Sequence, residues 1–162
     1  MAAVDYFLKI DGIEGESADS KHPREIQLES WSWGETNAGS MASSGGGGAG
    51  KVAMQDFHFV MVTNKAAPKL FSACATGEHV KSAILTCRKA GKDQQEFLKY
   101  TFTDLLISSF QTCGSPAGGV IPTDQCSFNF AKIQVDYKEQ KNDGTLGGAV
   151  TKWFDLKKME AG

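Results

Sequence analysis

The chain has 162 residues, 41% of them hydrophobic, with 17 basic against 19 acidic side chains and a net charge of −2. That is enough apolar material for one packed domain over 1–162, and it leaves no cationic excess to draw a phosphate backbone, so nucleic-acid binding is not expected. No apolar run reaches the ~18 residues of a membrane span, and residues 1–10 lack the basic-then-apolar pattern of a signal peptide, so the expectation is synthesis in the cytoplasm, no membrane insertion, and any export by another route.

Strand patterns dominate. Residues 5–10 alternate, with Tyr6, Leu8 and Ile10 on one side. Residues 25–34 read as a second strand and 51–62 as a third, with Phe57, Phe59 and Met61 on one face and Asp56 and His58 on the other. One helix is expected over 67–76: Pro68 suits its start, Gly77 its end, and Leu70, Phe71 and Cys74 give it an apolar stripe. Residues 82–89 and 96–103 form a hairpin across Ala90-Gly91-Lys92-Asp93, and Leu98, Tyr100 and Phe102 share a face of its second arm. Strands follow at 105–110, 127–137 and 150–157.

Two of these strands change phase. Ile26 and Leu28 are even-numbered while Trp31 and Trp33 are odd; Phe128 and Phe130 are even while Ile133, Val135 and Tyr137 are odd. A period of two cannot place both sets on one face. Either an inserted residue bends the strand, near 29–30 and near 131–132, or both faces are buried there. Bent strands of that kind pass from one sheet to another in a barrel or sandwich.

The chemistry-bearing residue types do not assemble into a motif. Gly45 to Lys51 satisfies G-x-x-x-x-G-K, but Val52 stands where a P-loop carries Ser or Thr, and a strand pattern follows instead of a helix. His22, His58 and His79 lie far apart, no G-x-S-x-G elbow occurs, and no C-x-x-C pair joins Cys74, Cys87, Cys113 and Cys126. The cysteines read as free thiols, and no catalytic residue, metal ligand or cofactor is expected. The stretch 36–50, ending in four consecutive glycines and Ala49-Gly50, reads as a flexible loop. In Trp31-Ser32-Trp33-Gly34 both tryptophans share one strand face and Ser32 takes the other. If the tryptophans are core, Ser32 belongs to a wet sheet face, as do Lys99 and Thr101 opposite Leu98, Tyr100 and Phe102. Alternation alone fits an outer surface or a channel lining equally.

Phe7-Leu8-Lys9-Ile10 is followed by Gly15-Glu16-Ser17, then by His22 with Glu25-Ile26 and by Trp31-Ser32-Trp33-Gly34. Residues 45–52 with Gln55-Asp56-Phe57, then Arg88-Lys89-Ala90-Gly91, then Phe128 to Tyr137 complete a series over nearly the whole chain. In order and spacing the series resembles the Hcp (haemolysin-coregulated) proteins of bacterial type VI secretion systems. The family often has Gly before its C-terminal Trp, where this chain has Lys152-Trp153. The resemblance implies a mainly antiparallel all-β fold, a small β-barrel or two-sheet sandwich with one short helix, closing as a homohexameric ring. It implies rings stacked into a tube, as in phage tails, inside a contractile sheath on a baseplate, tipped by a VgrG-type spike and carrying small effectors. On that expectation Ser32 faces the lumen, and the loop with Gly45, Gly46, Gly47, Gly48, Gly50 and Lys51 projects toward an adjacent subunit or ring. The other class open to the sequence is a monomeric β-barrel module that binds a ligand or glycan.

Overall fold

The computed structural model describes residues 4–41, 50–91, 93–116 and 121–162. The strands are β1 (Val4–Ile10), β2 (Ile26–Gln27), β3 (Ser30–Ser32), β4 (Glu35–Asn37), β5 (Val52–Met54), β6 (Phe57–Val62), β7 (His79–Lys89), β8 (Glu96–Cys113), β9 (Thr123–Gln140), β10 (Leu146–Asp155) and β11 (Glu160–Ala161); one helix, α1 (Ala67–Thr76), sits between β6 and β7. All pairings are antiparallel.

The hairpin of β8 and β9 is the spine. Along one edge of β9, the first half pairs with β6 and the second half with β10. One arm of the sheet therefore runs β3-β6-β9-β8, and the other runs β11-β10-β9-β8-β7-β1-β2. Between them Phe57, Phe102 and Phe128 meet with ring centroids 5.0 Å apart, and Leu8, Leu85, Leu105 and Ile107 fill the space around them.

The corner between the arms has a local cause. On β8 the buried residues change from Phe102 to Leu105 and Ile107; on β9 they change from Ile133 to Phe130 and Phe128. Thr103 pairs with Lys132 and Leu105 with Phe130, so the register does not slip. Asp104 takes φ 58°, and the carbonyl of Ala131 opposite accepts the N–H of Leu156, one step beyond the β9–β10 ladder. Both strands change face at one level, and pairing continues across the bend. The phase break falls beside the expected 131–132, but as a tandem change of both strands. The one shift in the β8–β9 register lies between Ile107 and Ser109. At 29–30 the expected bulge is a change of partner: Ile26–Gln27 pairs with β1, and Ser30–Ser32 with β6.

Other elements differ from the sequence reading in bounded ways. Residues 25–34 are cut where the partner changes between Gln27 and Ser30, and residues 51–62 are cut because Val52–Met54 leaves the sheet to form a separate two-stranded ribbon with Glu35–Asn37. The loop expected over 36–50 begins two residues later for the same reason. Residues 105–110 are the second half of β8 and not a separate strand, since Asp104 carries the chain round the corner.

The helix spans the expected residues and ends at Gly77, whose φ of 68° closes the last turn with a bond to the carbonyl of Ala73. Ala67, Leu70 and Ala73 face inward, their small neighbours letting the backbone sit close to the sheet. Phe71 points away, 60% exposed, with its ring edge toward Phe110. The sequence pattern puts it in the core stripe, but the i, i+3 line Ala67-Leu70-Ala73 sets the buried face one position away.

Candidate functional site

The polar side of the β3-β6-β9-β8 arm is built by strict alternation. Phe57, Phe59 and Met61 of β6 and Cys126 and Phe128 of β9 turn inward and are buried. Their neighbours alternate to the other face, so Ser32, His58, Ser127 and Ser109 fall in one row across four strands, with Ser32, His58 and Ser109 exposed and Ser127 covered. Ser30, Gln125 and Asn129 extend the same face, all exposed. Trp31 anchors β3 from behind, stacked on Phe57 at 5.9 Å and edge-on to Tyr100 at 5.5 Å. The structure thus places Ser32 on a solvated face, with its flanking tryptophans half-buried against the core.

The register shift at Ser108 gives this face its one hydrogen-bonded knot. The extra residue lets Ser108 and Ser109 both reach the hydroxyl of Ser127, and Ser108 also donates to Asp56 Oδ2 at 2.6 Å. Among the described residues no hydrogen bond joins His58 to a serine or a carboxylate. Asp56 is already engaged by Ser108, so no nucleophile–base–acid relay is assembled here. Among the described residues the arrangement offers a mainly hydroxyl- and amide-bearing surface with one carboxylate, Asp56.

Among the described residues the arm also has two open edges. On one side β3 pairs with β6 and with no other strand. On the other, β7 reaches no further along β8 than Leu106, and the described residues beyond it pair only with β9. Exposed strand edges carry unpaired N–H and C=O groups and are templates for further pairing.

The ribbon stands at the far end of β3. Its tip is fixed by Asn37, whose side chain donates to the carbonyl of Gly50 at 2.9 Å and accepts from the N–H of Gly39 at 2.8 Å. A Cβ on Gly50 would collide with the backbone of Gly39, so this close approach requires glycine. Lys51 is exposed and leads directly into β5, not into a helix. Gly45, Gly46, Gly47 and Gly48 lie outside the described residues.

A second polar cluster was not singled out as a site in the sequence. Arg88, 3% exposed, bonds Asp19 through both terminal nitrogens and reaches Asp5 at 3.4 Å. His22, 7% exposed, lies between Glu25 at 2.9 Å and Glu96 at 2.6 Å. Phe7 is buried against both, stacked with His22 at 4.5 Å and with the Arg88 guanidinium 4.8 Å from its ring centre. Arg88 holds the Asp19 carboxyl well below the usual carboxylate range, helped by the N–H groups of Lys21 and His22. The cluster fastens the loop after β1 onto β1, β7 and β8. The ladder supplied a partial signal, since Asp5 and Arg88 are direct partners, but Asp19 and Glu96 come from other segments. Elsewhere burial pushes the thiols of Cys87 and Cys126 up to about 12, so neither ionises at neutral pH.

Residues 7–137 match the family described as type VI secretion system effector, Hcp. The chain is 46% identical over 152 residues to Protein hcp1 of Pseudomonas aeruginosa, covering 93% of each sequence. Its fold superposes on Hcp1 from Salmonella typhimurium with a TM-score of 0.80 at 36% identity, covering 99% of both chains. It also superposes on a type six secretion system protein with a TM-score of 0.93 at 28% identity, covering 99% of this chain and 100% of that one.

Proposed function

The chain belongs to the Hcp family of type VI secretion proteins, and from that premise we propose that it is the repeating, non-catalytic subunit of the system's inner tube. Copies close head to tail into a hexameric ring. Rings stack inside the contractile sheath, which is seated on the baseplate, and contraction expels the tube behind a VgrG-type spike. The subunit is made in the cytoplasm and leaves the cell through this machine.

The observation that carries the reading is the β3-β6-β9-β8 arm, with one polar face and two open edges. A head-to-tail contact that closes under rotation pairs the β3 edge of each copy with the outer half of β8 of the next. Both open edges of this arm are then satisfied and the polar faces all turn to one axis. Ser32, His58 and Asn129 line the lumen, where hydroxyl and amide groups hold small effectors without strong apolar adhesion. The ribbon with Gly50 and Lys51, and the loop through Gly45 to Gly48, reach toward a neighbouring copy.

Light scattering on a sizing column, with negative-stain imaging of the pure protein, tests the ring. The expected result is hexamer mass and annular particles. A lone subunit at high concentration, with no annular particles, overturns the reading and leaves the monomeric ligand- or glycan-binding barrel in its place.

A further inference from the structure

The strand rows define two poles. Ile10, Ala83, Phe102, Ile133 and Phe154 form one row across β1, β7, β8, β9 and β10. Just beyond it lies the turn between β10 and β11. At the opposite end of β1, Val4 pairs with Lys89, and there a groove of about 610 Å³ opens beside Glu29 and Val62.

The groove is acidic and partly apolar. Among the described residues Asp5, Glu16 and Glu29 line it and no Lys or Arg does; Ile121, well exposed, and half-buried Val62 supply apolar surface over buried Leu28. Asp5 is held by Arg88, and Glu16 accepts the N–H of Lys65 at 3.1 Å. Among the described residues the Glu29 carboxylate has no hydrogen-bond or ion-pair partner, and the sheltered hydroxyl of Thr63, also in the lining, has none.

The turn at the other pole has the complementary make-up. Asp155 Oδ1 accepts the N–H groups of Lys157 and Lys158, each at 2.9 Å, which fixes a tight turn with both lysines exposed. Neither lysine makes a salt bridge among the described residues. Met159, at φ 53°, leaves 49% of its surface in solvent beside them.

We infer that the groove receives the Lys157–Lys158–Met159 turn of a second copy, so that copies join pole to pole along the strand axis. The two ammonium groups meet Glu16 and Glu29, and Met159 meets Ile121. Donor and acceptor patches differ and lie at opposite ends, so the contact is heterologous and repeats without closing. Resting on the ring reading above, it is the contact that stacks one ring on the next, and it weakens with salt.

The test is zero-length carbodiimide coupling of concentrated protein mixed from isotopically heavy and light copies, alongside imaging. The expected links join Lys157 or Lys158 of one copy to Glu16 or Glu29 of another. They disappear in the pair Lys157→Glu, Lys158→Glu and in the pair Glu16→Lys, Glu29→Lys, and return when all four changes are combined. All four side chains are exposed, and far-UV circular dichroism confirms that the variants fold. Rings that persist while such links are absent, or are indifferent to the reversals, overturn the inference and leave the ring standing. Lone subunits without any links between copies overturn both.

Discussion

Arg88 and Asp19 are joined by two parallel hydrogen bonds, Nη1 to Oδ1 at 3.0 Å and Nη2 to Oδ2 at 2.7 Å, between residues 69 positions apart. The guanidinium is 3% exposed, so removing it leaves two carboxylates without their counter-ion in a sheltered place. Arg88→Met is expected to destabilise the fold by about 3 kcal/mol, read as a lower urea midpoint at unchanged slope.

The same pair sets an acid dependence. The Asp19 carboxyl lies below its ordinary range in the folded chain, so the folded state resists protonation that the unfolded chain accepts. Its contribution to stability is full above the unfolded carboxylate range and is lost as pH falls through it toward the folded value. The difference in melting temperature between the native chain and Asp19→Asn should be largest above about pH 4 and should shrink in stronger acid. A difference that stays constant down to strong acid contradicts this account.

The helix offers a paired comparison one residue apart. Leu70 is fully buried and Phe71 is 60% exposed. Leu70→Ala is expected to cost about 3 kcal/mol, whereas Phe71→Ser should cost less than about 1 kcal/mol. Equal losses in chemical denaturation would place Phe71 in the core.

On the lumen reading, Ser32→Gln leaves hexamer mass unchanged and alters which effectors co-purify with the rings, because a longer amide projects from the polar face. Unchanged retention of every bound effector, with Ser32 outside the ring in an assembled structure, counts against the assignment.

The ribbon is expected to serve assembly more than folding, since it lies off the main sheet. Deleting Gly45 to Gly48, or replacing Gly50 by Val against the backbone of Gly39, should weaken association between copies while the thermal midpoint of the isolated subunit moves little. Normal rings, tubes and secretion in both variants would refute it.

Local periodicity carried much of this structure. Pro68 and Gly77 bracket the helix, and the numbering change between Phe130 and Ile133 marks the corner. Ser32 opposite its two tryptophans marks the wet face. Partner choice is a long-range matter and was not legible: nothing in residues 25–34 says that Gln27 pairs with β1 and Ser30 with β6. Phe7 misled by alternation, because the loop with His22 covers a face that reads as exposed. Phe71 misled by hydrophobicity, since alanines lower the apolar signal of the face that is buried. Asp19 and Arg88 could not be matched, because the loop that carries Asp19 has no periodicity to read.

The tandem change of face at Asp104 and Ala131 keeps β8 and β9 bonded to each other through the corner, each strand 18 residues long. Antiparallel ladder bonds lie perpendicular to the strands. A pull along the hairpin therefore loads many of them in shear at once, instead of unzipping them one by one. The chain thus has a mechanical beam running through both of its arms, and on the tube reading proposed above that beam would carry the load when the tube is driven forward.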